Sequence, residues 1–218
     1  MAAAPNPKLD ELVATLERLR APGGCAWDRE QTHESLVQYL TEETYELIEA
    51  IENGTREELI EELGDVLYQV LFHADIEAEA GSFTLEDVAE HMRLKMVARH
   101  PHVFPAADGT VAVAETPDDV VATWEHIKSI EKAHRSSVLD GIPQAMPALA
   151  VADKIVGRAA KVGVVRDAVA IPATEEELGA QLLAMVTAAR AAGLDAERAL
   201  RGALRELQDE VRVAEASS

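Results

Sequence analysis

Between residues 33 and 80 apolar positions recur every three or four residues, with one interruption at Asn53-Gly54. That period predicts two long helices joined by a tight turn. In the stretch EETYELIEAIENGTREELIEELGD (42–65), Leu47, Ile48, Ile51, Leu59, Ile60 and Leu63 fall at core-facing positions. The same spacing elsewhere predicts helices over about 7–20, 33–53, 56–80, 85–99, 117–134, 147–161, 175–192 and 196–214, with a loop from Pro101 to Glu115. Strand patterns are nearly absent, so the expected class is all-α. The breaks carry turn chemistry. Pro22-Gly23-Gly24 closes the first helix, Asn53-Gly54 is expected to form a left-handed stop, and Thr55 with Glu58 forms a capping box. Thr84 with Asp87, and Thr116-Pro117 with Asp119, mark further helix starts.

So short a link at Gly54 implies an antiparallel helical hairpin. Glu46 stands eight residues before that glycine and Glu62 eight after it, so both lie roughly 12 Å from the turn on neighbouring helices. Glu43 and Asp65 are spaced i,i+3 from these two and share their faces. Leu36, Leu40, position 43, Leu47 and Ala50 follow a 4-3-4-3 spacing that puts Glu43 in a core slot. Asp65 precedes VLYQVLF (66–72), a segment apolar nearly all round and expected to be buried on more than one side. Carboxylates gathered in such a place repel one another, and a divalent cation satisfies them together. Oxygen ligands without cysteine favour Mg²⁺ or Mn²⁺.

Composition narrows the partners. The 218-residue chain is 48% hydrophobic, enough for a substantial core, and carries a formal charge of −20. Such charge speaks against nonspecific binding to nucleic acid or anionic membranes, and an acidic protein that handles phosphates needs a cation. The single cysteine, Cys25, leaves neither an intramolecular disulfide nor a Cys-rich zinc site. No run of about 18 apolar residues occurs, and Met1 to Asp10 lacks a signal-peptide layout, so the protein is expected in the cytoplasm. A phosphate substrate beside Mg²⁺ also needs positive charge. Lys95 and Arg99 are spaced i,i+4 near a helix end, and Trp124 and Lys128 are spaced alike, pairing an aromatic plane with an amine.

Several ordered segments, GGCAWDREQTHESLVQYLTEETYELIEAI, EELGDVLYQVLFHA, KMVARHPHVF, WEHIKSIEK and SVLDGIPQAMPALAVADKI, resemble the MazG family of nucleoside triphosphate pyrophosphohydrolases over most of residues 8 to 165. The family signature, EExxE followed by ExxD, matches Glu42, Glu43, Glu46, Glu62 and Asp65 without substitution. Cys25-Ala26-Trp27-Asp28 departs slightly from the family's frequent CPWD. The resemblance implies a MazG-like helical bundle of the all-α NTP pyrophosphatase type, with Mg²⁺ held by Glu43, Glu46, Glu62 and Asp65. It implies nucleotide contacts from Lys95, Arg99, Trp124 and Lys128, with Lys95 and Arg99 also assisting the chemistry. Cleavage of an NTP or dNTP to monophosphate and pyrophosphate, clearance of damaged or surplus nucleotides and a homodimer are implied too. Glu46, Glu42 and Glu61 are the carboxylates expected to assist turnover, the last two as candidates to orient the attacking water.

The chain also echoes itself: EELGDVLYQVLFHA (61–74) resembles EELGAQLLAMVTAA (176–189), with Glu177 in place of Glu62 and Ala180 in place of Asp65. Aligning the helix starts at Thr84 and Asp195 sets Glu206 opposite Lys95 and Glu210 opposite Arg99. The expected division is an active domain over 1–142 and a shortened, disarmed second half over 143–218. Rival readings are a dUTP or phosphoribosyl-ATP pyrophosphohydrolase, a non-catalytic helical interaction module, and a di-iron bundle using the ExxH spacings Glu30 to His33 and Glu131 to His134.

Overall fold

The structure, a computed structural model, describes residues 6–105, 109–110, 112, 114–133, 135–166 and 172–217. All regular structure among them is helical: α1 (Pro7–Arg20), α2 (Ala26–Glu30), α3 (His33–Asn53), α4 (Arg56–Glu79), α5 (Leu85–Arg99), α6 (Pro117–Glu131), α7 (Ala148–Ala159), α8 (Glu175–Ala191) and α9 (Ala196–Ala216), with a 3-10 turn at Ala160–Val162. The chain divides into two compact units, Met1–Ile127 and Lys128–Ser218.

The first unit is organised by α3 and α4, which make the most extensive helix packing in the chain across a link of only Gly54 and Thr55. Helices packed along their length over two residues of linker must double back. Both starts are fixed by reciprocal caps. The Thr32 hydroxyl accepts from Ser35 N–H (3.2 Å), and Thr55 Oγ1 from Glu58 N–H (3.2 Å) while Glu58 accepts from Thr55 N–H (2.6 Å). Thr84 with Asp87 and Thr116 with Asp119 form the same arrangement. Leu16 of α1, Leu36 of α3 and Leu71 and Phe72 of α4 form the core, with Tyr39, Tyr68 and Leu85 against it.

Three expectations need correction. Gly54 is extended (φ −82°, ψ 170°), not left-handed; glycine is needed because an added Cβ would stand 2.6 Å from Ala50 Cα and 2.7 Å from its carbonyl oxygen. Gly54→Ala should therefore destabilise the first unit by about 1–3 kcal/mol, readable as a lower urea midpoint, and an unchanged midpoint would refute the close approach. Second, Ile48, Ile51, Ile60 and Leu63 do not face the core: each is at least 42% exposed, whereas Leu47 and Leu59 are half-buried. Third, VLYQVLF is covered on one side only, with Leu71 and Phe72 inside and Leu67 and Val70 exposed. The period identified an apolar helix pair correctly, but the first unit's own helices do not cover all of it.

α2 was not foreseen, since five residues are too few to show a period. It is tied down by Arg20, a buried side chain whose Nη1 donates to the Asp28 carbonyl (2.8 Å) and whose Nη2 and Nε donate to Glu79 and Asp75.

In the second unit, Val151, Ile155 and Ala159 of α7 meet Leu204, Leu207 and Val211 of α9, joined by Leu139 and Ile142 of the preceding loop. Thr174 caps α8 and Asp195 caps α9. α8 leaves Leu183, Met185 and Val186 exposed.

Candidate metal centre

Doubling back at Gly54 brings carboxylates of α3 and α4 together. Glu43, Glu62 and Asp65 each offer an oxygen, and these atoms all lie within 4.8 Å of one another. Glu43 and Glu62 are half-buried. Glu46 stands beside them, and its charge acts on both Glu43 and Glu62. On the turn side, a cavity of about 300 Å³ is lined by Glu46, Glu49, Asn53, Glu58 and Glu62. No comparable acidic or histidine group occurs elsewhere among the described residues, the second unit included.

Charges crowd here without compensation. Burial, then the charges of Asp65, Glu46 and Glu62, pushes the Glu43 carboxyl pKa up; burial, then Glu46, Asp65 and Glu61, does the same to Glu62. Glu62 Oε2 is buried and receives no hydrogen bond. An acceptor-only group in that position is unfavourable unless a cation reaches it, and three oxygens so close suit a hard divalent ion. The residues fit such an ion.

A pH test follows. A carboxyl whose pKa is higher folded than unfolded opposes folding wherever both states are ionised, and the opposition fades as pH falls through the raised value. In chelator, Glu62→Gln should raise the melting temperature at neutral pH, with the gain shrinking in acid. Calorimetry at the two pH values measures it, and a variant that melts lower at neutral pH would contradict the crowding.

The other expected residues are placed as follows. Glu42 and Glu61 are exposed neighbours of the cluster on α3 and α4. On α5, which packs on α4, Lys95 is half-buried and makes no ion pair among the described residues, while Arg99 is buried. The Arg99 guanidinium lies over the Trp124 ring of α6, 5.5 Å from its centroid. Lys128 belongs to the second unit. His33 is turned to α4, where its Nε2 donates to Glu77 (2.7 Å) and its Nδ1 shares a proton with His73 Nδ1 (2.7 Å), which removes the first di-iron spacing. His134 lies outside the described residues.

Sequence reading missed Gln69, which sits i,i+4 from Asp65 on α4, is 6% exposed and leaves Oε1 without a partner. Its signal was a polar residue at a core position one turn beyond Asp65.

Residues 31–104 match the model of the MazG nucleotide pyrophosphohydrolase domain. The chain is 41% identical to a protein of Thermotoga maritima named nucleoside triphosphate pyrophosphohydrolase/pyrophosphatase MazG, over 90% of this chain and 81% of that one. It is 40% identical to the nucleoside triphosphate pyrophosphohydrolase of Escherichia coli (strain K12), over 90% and 82%. A solved mazG-related protein from Thermotoga maritima matches 55% of this chain and 98% of its own, at 26% identity and a TM-score of 0.46.

Proposed function

Because the chain belongs to the MazG family of nucleoside triphosphate pyrophosphohydrolases, hydrolases that release pyrophosphate, we propose that its reaction takes place at the carboxylates between α3 and α4. The observation that carries this is the meeting of Glu43, Glu62 and Asp65, each offering an oxygen within 4.8 Å of the others', beside a buried, unpartnered oxygen of Glu62. Glu43, Glu46, Glu62 and Asp65 hold the cation, Mg²⁺ or in its place Mn²⁺. When bound, such a cation neutralises triphosphate charge and stabilises the charge that develops on the phosphoryl oxygens.

This chain's residues do the rest. Lys95 and Arg99 draw the anionic phosphates to α5 and offset charge as the bond breaks, and Lys128 adds a third cation. Trp124, held under Arg99, contacts the nucleoside. Glu42 or Glu61, outside the ligand set and exposed, orients the attacking water and accepts its proton. The products are a monophosphate and pyrophosphate, and the role is clearance of damaged or surplus nucleotides in the cytoplasm. No described helix is long and apolar enough to cross a membrane.

Exposed Ile48, Ile51, Ile60 and Leu63 support a homodimer that covers the outer faces of α3 and α4. One site per chain follows from the second half, where Ala180 stands in place of Asp65 and Glu210, opposite Arg99, pairs with Arg166 at 2.7 Å. Residues 1–142 are the working domain and 143–218 its degenerate counterpart.

A panel of standard and oxidised NTPs and dNTPs, with and without Mg²⁺ and resolved by chromatography, tests this reading. Metal-dependent release of monophosphate with pyrophosphate is expected. No turnover of any nucleotide, or turnover unaffected by chelator, would overturn it.

A further inference from the structure

Along α3, Leu36, Tyr39, Glu43 and Glu46 follow a 3-4-3 spacing, and along α4 Glu62, Asp65, Gln69 and Phe72 follow the same spacing, so each set shares one helix face. Counted outward from Gly54 the two sets match in height. Glu46 pairs with Glu62, Glu43 with Asp65, Tyr39 with Gln69, and Leu36 with Phe72. Contacts at both ends agree with this register: Glu43 meets Asp65 and Glu62 at one end, and Leu36 and Phe72 share the apolar core at the other. Gln69 therefore stands between the carboxylates and the core.

Its Oε1 is buried without a donor, in a side chain only 6% exposed. Such an acceptor is costly. Side chains on a helix lean toward its N-terminus, so Gln69 leans over Asp65, about 6 Å back along α4, and away from Phe72. No protein group on this face supplies the missing hydrogen. Tyr39, at the same height, has its ring held edge to face by Trp27 of α2, with centroids 5.6 Å apart and planes at 78°, and it does not donate to Gln69. His73, one turn further along α4, is turned to His33, with Nδ1 atoms 2.7 Å apart. Leu36 and Phe72 have no donor, and ionised carboxylates only accept. A divalent cation changes this, because Mg²⁺ usually keeps several of its waters and each brings hydrogens to donate.

We propose that Gln69 is a positioning residue of the cation site: its buried carbonyl accepts from a water that the cation carries beside Asp65, which fixes the ion's seat between α3 and α4. The inference rests on the cation site assigned under the proposed function. Groups that hydrogen-bond around a metal's direct ligands orient the site, and losing one typically weakens metal binding about 10- to 100-fold. Gln69 then carries a distinctive signature. The carbonyl opposes folding in chelator and favours the ion once it binds, so its removal moves stability and metal affinity in opposite directions.

The test uses the full chain with Gln69→Met and Gln69→Glu. Methionine fills similar space without the polar atoms, so Gln69→Met should melt no lower than the unaltered chain in chelator. Mn²⁺ titration, followed by the paramagnetic resonance of the free ion, should show binding about 10- to 100-fold weaker in that variant. The Mg²⁺ concentration for half-maximal pyrophosphate release should rise by a like factor. Gln69→Glu keeps an acceptor in the same place and should bind Mn²⁺ at least as tightly as the unaltered chain.

A Gln69→Met chain that melts lower in chelator would overturn the inference, because the carbonyl would then serve the fold itself, through a resident water. Gln69→Glu binding Mn²⁺ as weakly as Gln69→Met would overturn it too, since space and not the acceptor would then matter. An unaltered chain that binds no Mn²⁺ sinks the cation site together with this inference. Mn²⁺ bound by the unaltered chain, and bound equally by Gln69→Met, sinks this one alone.

Discussion

Glu62→Gln is expected to lower kcat/KM by about 10³-fold or more, on the scale of the several kcal/mol a catalytic cation contributes at about 1.4 kcal/mol per decade. Glutamine keeps the size and shape of the side chain, so α4 should pack unchanged. What is lost is a full carboxylate charge in the group: Glu62 offers an oxygen within 4.8 Å of oxygens from Glu43 and Asp65, and its Oε2 is buried with no partner. An amide there offers one weaker acceptor, and its N–H₂ donors would confront the cation. The remaining carboxylates should then need a higher Mg²⁺ concentration to reach half-maximal rate. Initial rates across a Mg²⁺ titration, with a thermal melt in chelator as a control for folding, separate the two effects. A variant that melts no lower than the unaltered chain and turns over normally would remove Glu62 from the site.

Arg20→Met should destabilise the first unit by about 1–3 kcal/mol, because removing the buried donor leaves the partly buried Asp75 and the Asp28 carbonyl without their partner. Arg20 is 7% exposed and joins three elements: α1, which carries it, α2 through the Asp28 carbonyl, and α4 through Asp75 and Glu79. Its guanidinium also lies over the Phe72 ring, 5.1 Å from the centroid. Methionine fills similar space and leaves Asp75 facing an apolar side chain. The double variant Arg20→Met/Asp75→Leu should recover much of the loss, since an apolar pair of similar volume often replaces a buried ion pair at little cost. Urea denaturation followed by a probe in the first unit reads both, and the two units make a single two-state fit inappropriate. A single variant as stable as the unaltered chain would show that Arg20 merely decorates the surface.

The helices were legible because their signals are local. Period, caps at Thr55, Thr84 and Thr116, and the 4-3-4-3 slot of Glu43 all depend on residues within about four turns of one helix. The meeting of Glu43 with Glu62 and Asp65 was legible for the same reason, since a two-residue link sets equal heights on both helices. What the sequence hid depends on distant partners. Nothing near Arg20 marks it as buried, as its acceptors lie 55 and 59 residues away. The apolar faces of Ile48, Ile51, Ile60 and Leu63 show in the period, which says that a face is apolar and not what covers it. Gly54 was assigned to the turn correctly for the wrong reason: contact with Ala50, not a left-handed backbone, requires it. Asp28 and Trp27 sit on a helix too short to announce itself, so their environments became readable only in three dimensions.

The most direct measurement is product identity from the purified chain with the nucleotide panel and Mg²⁺, followed by phosphorus NMR alongside Glu62→Gln. Nucleoside monophosphate and pyrophosphate in equal amounts, formed by the unaltered chain and nearly absent with the variant, are expected. Nucleoside diphosphate with orthophosphate, or the same products at the same rate from both proteins, would contradict hydrolysis at the carboxylates of α3 and α4.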